Sequence, residues 1–308
     1  MDSPSLPPNQ WRELNHQLEK PVEWFIHFCG WSAILCVISI FLFIFIEAEP
    51  LLPKINWMEF FTSVRWIPNP AKGNPPHYGA LGLIAGTVST TVLAMVLAIP
   101  AGLGAAIYIS EFATGATKET LKVVIELLAA IPSIVWGFIG LMVLGPLVQR
   151  VTDAALGTNL FTGSLILALM SVPVIVSIAE DALRAVPDTY REAAQALGAN
   201  TWEIVYRVLF PAARNGLLAA CLLGLGRAVG ETMAVLLATG HANQIPTSLV
   251  DPVRTMTAAI AAELGEAPKG SDHYRALFVL GIVLFALTGA MNVISDIVIK
   301  GIRQSHRA

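Results

Sequence analysis

The sequence predicts an all-α membrane protein with six transmembrane helices, and two observations carry that prediction. Charged residues make up only 13% of 308, about half the share usual in a soluble domain, while 55% are apolar and mean hydropathy is +0.65. Apolar stretches long enough to cross a hydrocarbon core of about 30 Å also recur six times between polar segments. The net charge of -3, with basic residues scattered rather than clustered, gives nucleic acid no footing as a partner. Cys29, Cys36 and Cys221 all lie in apolar runs, the first two too far apart on one helix to bridge, so they read as packing or lipid-facing residues.

Residues 1–27 are polar and lack the basic start and adjacent apolar run of a cleavable signal peptide, so they are expected to form a retained N-terminal arm with at most a short interfacial helix. Residues 28–46 carry no charge and form helix one. Residues 47–81 follow as a polar, proline-rich loop whose Trp57 and Trp66 suit a headgroup level. Helix two is placed at about 82–109; Gly82, Gly86, Ala98, Gly102 and Ala106 let another helix approach closely, which puts it at the centre of the bundle. A charged turn (111–122) precedes helix three (127–149), with Glu126 as a boundary charge and Pro132 and Pro146 within the helix. Helix four spans 160–179, a polar interlude 180–214, helix five 215–240, a second long polar loop 241–275, and helix six 276–295. The core of five helices thus occupies 82–299, and 300–308 form a polar tail.

Six crossings put both termini on one side. With both inside the cell, the inner segments hold eleven Lys and Arg and the outer loops seven, which favours cytoplasmic termini and a cytoplasmic interlude. Within that interlude Pro187 suits a first helical position, Asp188 the positive helix end, and Gly198 a left-handed stop. Tyr190, Ala193, Ala194 and Leu197 form a narrow apolar stripe, with Arg191, Glu192 and Gln195 beside it. Asn200 with Glu203 has the form of a capping box that opens a second helix running to Pro211. Pattern alone allows either a helix lying on the headgroups or one that fits a groove of a partner.

Glu192-Ala193-Ala194, three residues, Gly198, nine residues, and then Val208-Leu209-Phe210-Pro211 closely resembles the EAA motif of ABC-importer permeases, with Val208 and Phe210 as the departures. Gly86-Thr87, Ala105 to Glu111, Glu126 to Ser133, Gly224 to Val235 and Ala276-Leu277-Phe278 resemble the PstC-type permeases of phosphate-specific importers, whereas residues 1–77 carry little of the likeness. The resemblance implies a type I (MetI-like) permease fold in a bacterial inner membrane. It also implies that 187–198 is a coupling helix, docked through Tyr190, Glu192, Ala193, Ala194, Leu197 and Gly198 into a cytoplasmic ATP-binding subunit. A second permease subunit of PstA type and an extracytoplasmic phosphate-binding protein are the other implied partners, besides membrane lipid.

Arg227 and Glu231 are the other candidates. A charge at bilayer depth costs a few kcal/mol, so such residues face a protein interior or an aqueous path. Four apart on one expected helix, they could neutralise each other as a static pair. Given the cargo that the resemblance implies, Arg227 is instead expected to face the substrate path, because guanidinium matches a phosphate oxyanion, with Glu231 holding it or repelling a premature anion. No lysine is followed by Ser or Thr, so the phosphate-cradling loop of ATPases is absent, the chain is expected to be no enzyme and to hold no cofactor, and ATP is expected to be hydrolysed by a partner. His77, His241 and His273 have no spacing suited to a metal. Molybdate or sulfate as cargo, an ion-coupled carrier and a membrane scaffold stay open as alternatives.

Overall fold

The computed structural model describes residues 8–70 and 73–304; residues 1–7 of the expected arm and 305–308 of the expected tail lie outside them. Among the described residues, six helices are long and apolar enough to cross a membrane.

Helix α1 (Pro8–Ala48) erases the expected boundary between arm and first span. Residues 9–20 are mostly fair helix formers, and Pro21 removes one backbone donor without stopping the chain. The polar loop after it is folded rather than open. It holds a 3-10 turn (Leu52–Lys54), α2 (Trp57–Thr62), whose first amides are capped by the Asn56 side chain, and a hairpin of β1 (Trp66–Ile67) with β2 (His77–Tyr78). Trp66 is buried within the protein, its indole N–H donating to the Glu263 carboxylate, 3.1 Å away.

Helix α3 (Leu81–Ile107) continues into a π-helical turn at Tyr108–Phe112. The expected charged turn is instead a 16-residue helix, α4 (Gly115–Ala130), with the exposed Glu126 inside it. Helix three therefore starts later than 127, at α5 (Ser133–Ile139), and runs through a π turn (Gly140–Leu144) into α6 (Gly145–Thr152). The break falls at Ile131, φ -66° and ψ 124°, because the ring of Pro132 pushes the residue before it out of the α region.

Helix α7 (Leu160–Arg184) is followed by the short α8 (Asp188–Ala196). The capping box forms as expected: the Asn200 side chain accepts from the Glu203 N–H, and Glu203 accepts from the Asn200 N–H. The helix it opens does not end at Pro211. It runs through α9 (Thr201–Ile204), a π turn (Val205–Leu209) and α10 (Phe210–Val229) as one 29-residue span, since Pro211 sits where a new α segment begins and its missing N–H is spared. That span ends at Gly230, short of the expected 240, and α11 (Met233–Ala238) follows as a separate piece. In the last loop α12 (Met256–Glu263) has a buried first turn, and α13 (Asp272–Gln304) is the sixth span.

Helices α3, α7 and α10 form the main core, and the five small residues expected on α3 are all buried. A side-chain carbon at Gly102 would meet Ile175 of α7 at 2.7 Å, and one at Gly224 of α10 would meet the same isoleucine, also at 2.7 Å. A second core joins α2, α12, α13 and the start of α3; α1 leans on α13, with Phe41 edge-on to Phe285 at 5.0 Å. The connecting segments gather at two ends, as alternating crossings require. At one end Arg191 pairs with Glu111 and Lys122 with Glu180; at the other Lys54 pairs with Asp272 and the Asn243 amide donates to the Val64 carbonyl.

Candidate functional site

Two places hold the expected site residues. On α8, Asp188 occupies the first turn and Pro187 is the capping residue, one place earlier than expected. Gly198 has φ +84°, the left-handed value its role as a stop requires. Tyr190 is 54% exposed and Leu197 89%, and Glu192, Ala193 and Gly198 are exposed beside them. Ala194 departs from this face: it is buried among the residues of the main core. Trp202, 66% exposed, and Tyr206, 77% exposed, add aromatic surface after α8, with the Trp202 ring 4.8 Å from Phe112.

What fixes α8 in place is a residue that sequence reasoning left at the margin. All five N–H donors of Arg191 are used: on Glu111 at 3.0 and 3.3 Å, on the carbonyls of Leu183 and Val186 at 3.0 and 2.8 Å, and on Asp188 at 3.0 Å. The two carbonyls belong to the C-terminal turn of α7 and the linker after it, so the guanidinium also caps that helix. Glu111's hydrogen bonds, against the opposing effect of burial, hold the Arg191 guanidinium above its ordinary pKa. Eighty residues separate the pair, and no local pattern announces it.

The second place is the gap between α10 and α11. Arg227 lies in the last turn of α10 and is exposed on this chain. Glu231 is not on the same helix, which corrects the expected one-face pair. The chain leaves the helix at Gly230, and the Glu231 carboxylate accepts from the N–H groups of Thr232 (3.1 Å) and Ala234 (3.3 Å). Among the described residues no ion pair joins Glu231 to Arg227. The Thr257 hydroxyl donates to the Glu231 carbonyl at 2.8 Å, and the Met256 N–H donates to the Thr87 hydroxyl at 2.9 Å. The buried turn of α12 is thereby fastened to both the gap and α3. The Thr255 and Thr257 hydroxyls lie 3.0 Å apart; sequence reasoning did not single out Thr255, and Thr87 stood only within the motif Gly86-Thr87.

A third cluster binds the loops of that end together. Glu263 accepts from Trp66, pairs with Arg254 at 2.8 Å and meets His273 Nε2 at 2.8 Å. Nearby, burial first and then the charge of Arg254 push the His241 imidazole below its ordinary pKa. Among the described residues no group of three or more His, Cys, Asp or Glu is arranged to hold a metal ion.

The sequence profile of the family described as binding-protein-dependent transport system inner membrane component matches residues 98–305. The chain belongs to that family. Among the permease's relatives, the phosphate transport system permease protein PstC of Haemophilus influenzae is 38% identical over 248 residues, covering 74% of this chain and 78% of the relative. The PstC of Mesorhizobium japonicum is also 38% identical, over 74% of each chain. A probable ABC transporter permease protein of Bacillus subtilis, YqgH, is 38% identical over 76% of this chain and 75% of its own. Solved structures share the permease's fold. One chain of a bacterial alginate ABC transporter, in complex with its alginate-bound periplasmic protein, superposes with a TM-score of 0.60 at 12% identity over 93% of both chains. One of the methionine ABC transporter MetNI, in an inward-facing conformation, gives 0.55 at 19% over 73% of this chain and 94% of that one.

Proposed function

We propose that this permease is the membrane subunit of an ATP-driven importer of inorganic phosphate. Identity of 38% to PstC phosphate permeases over three quarters of the chain is the single observation that carries the reading. The exposed end of α10 is consistent with it, since Arg227 offers a fork of donors that no acidic side chain of the described residues takes up. Arg227 meets phosphate in the translocation path, and Glu231 tightens the turn beside it by binding the amides of Thr232 and Ala234. The exposed face of α8, Tyr190, Glu192, Ala193, Leu197 and Gly198, docks on a cytoplasmic ATP-hydrolysing subunit, and Ala194 holds the helix to the core from behind. A second permease subunit of PstA type completes the path, and an extracytoplasmic phosphate-binding protein delivers the ion. Both termini face the cytoplasm, the side favoured by eleven basic residues against seven.

Uptake of labelled inorganic phosphate by the assembled complex in vesicles tests the reading. Arg227→Gln is expected to abolish uptake while leaving ATP-subunit association intact; undiminished uptake in that variant would remove Arg227 from the path. Leu197→Glu is expected to release the ATP-hydrolysing subunit.

A further inference from the structure

Arg191 and Glu111 stand outside the docking face, yet the geometry points to them as the linkage that carries motion of α8 into the spanning helices. The inference rests on the reading of α8 as the docked helix. Motion imposed on an exposed helix of nine residues reaches the bundle only through what ties the two together. On α8 one side chain is buried, the methyl of Ala194. A methyl in a core resists separation but lets a helix slide or turn, whereas a planar guanidinium with five fixed donors resists both. Arg191 is 17% exposed and Glu111 10%, so water does not compete freely for the pair.

The partners of the fork define what moves. Glu111 lies in the π turn that ends α3, the carbonyls of Leu183 and Val186 lie in the last turn of α7 and the linker after it, and Asp188 begins α8. One side chain therefore joins three helices at a single point, and two of those helices form the centre of the bundle. Glu111 is braced in turn by the Ser110 hydroxyl, 2.7 Å away, while Lys118 of α4 donates to the Ser110 carbonyl at 3.3 Å. The π turn matters for the same reason. Its wider hydrogen-bond ladder is a place where a helix changes register, and the Val205–Leu209 segment after α8 has the same form. A displacement of α8 is thus delivered to α3 at a segment able to yield, by a contact that does not. Arg191 is a positioning residue: it touches neither phosphate nor ATP.

The test uses the full complex in proteoliposomes and measures labelled phosphate moved, ATP hydrolysed and the ratio of the two. Arg191→Gln and Glu111→Gln are each expected to leave the ATP-hydrolysing subunit bound and ATP hydrolysis running, while phosphate moved per ATP falls about tenfold. The double variant is expected to be no worse than either single one, and Arg191→Lys to recover part of the ratio. A purely structural role would lower uptake and hydrolysis together and leave the ratio unchanged, which would overturn the linkage. Failure of both single variants to assemble would overturn it too, by making the pair a requirement of folding or docking. If Leu197→Glu fails to release the ATP-hydrolysing subunit, the docking reading of α8 falls. If it does release it and the Arg191→Gln ratio is unchanged, only the linkage falls.

Discussion

Gly102→Ala adds a single methyl at a close crossing of α3 with α7. Its carbon would stand 2.7 Å from Ile175 Cγ2 and 2.9 Å from Cβ, against a carbon–carbon optimum of about 3.5–4.0 Å, so α3 and α7 must part by roughly 1 Å or Ile175 must move. Ile175 has nowhere to go. It is fully buried, and Gly224 of α10 closes on its other side so tightly that a carbon there would be 2.7 Å from Cγ1. Overpacking of this kind costs about 1–3 kcal/mol. The purified protein in detergent is unfolded with SDS and followed by tryptophan fluorescence; Gly102→Ala is expected to lower stability within that range. Ile175→Ala removes the closer contact, with Cγ2, keeps the one with Cβ and opens the space left by Cγ1 and Cδ1 for the backbones to adjust, so the double variant is expected to lose less than the sum of the singles. Strict additivity, or no loss in Gly102→Ala, would refute the close α3–α7–α10 crossing.

Other outcomes follow from single contacts. Asn200→Ala removes the acceptor for the Glu203 N–H and is expected to cost about 0.5–2 kcal/mol, seen as faster amide exchange over residues 201–204. Gly198→Ala places a side chain at φ +84° and is expected to cost about 1–2 kcal/mol in the same unfolding assay, although no atom stands within 4 Å to obstruct it. Glu263→Gln leaves Arg254 and His273 without their shared charge; because Glu263 is 17% exposed, the loss is expected at or below the lower end of the buried-pair range, about 3 kcal/mol. His241 binds its proton less readily folded than unfolded, first because it is buried and then because Arg254 is near. Its contribution to stability is therefore full above pH of about 6.5 and declines as pH falls below that value. His241→Asn, which tolerates the positive φ of 58°, should flatten the decline between pH 7 and 5 in a series of SDS unfolding curves.

The spans were legible because their signal is cumulative: twenty apolar residues in a row tolerate a wrong reading at either end. The ends themselves were less so, for local reasons. Ile131 stops a helix because of the ring that follows it, while Pro211 stops nothing because it stands where a helical segment restarts. The small residues of α3 were readable as a close-packing face, but that Ile175 fills the space is a fact about α7. On α8 the motif spacing, the stop at Gly198 and the capping box after it could all be read in sequence. Ala194 could not be separated from Leu197, since both are apolar and the choice of inner face belongs to the neighbours. Arg227 and Glu231 misled for a related cause: a spacing of four implies one face only while the helix lasts, and Gly230 ends it. Contacts such as Arg191 with Glu111 or Trp66 with Glu263 join residues far apart in the chain and leave no trace in periodicity.

The buried turn of α12 gives the molecule two unlike kinds of fastening. Its spanning helices hold each other by shape, glycine against isoleucine, and answer to any change of volume. The loop segment lodged among them adds to its apolar burial a few directional contacts, from the hydroxyls of Thr87 and Thr257 and the carboxylate of Glu263. Changes of side-chain volume therefore act first on the walls, and the removal of single oxygen atoms, at Thr87 or Thr257, acts first on the filling.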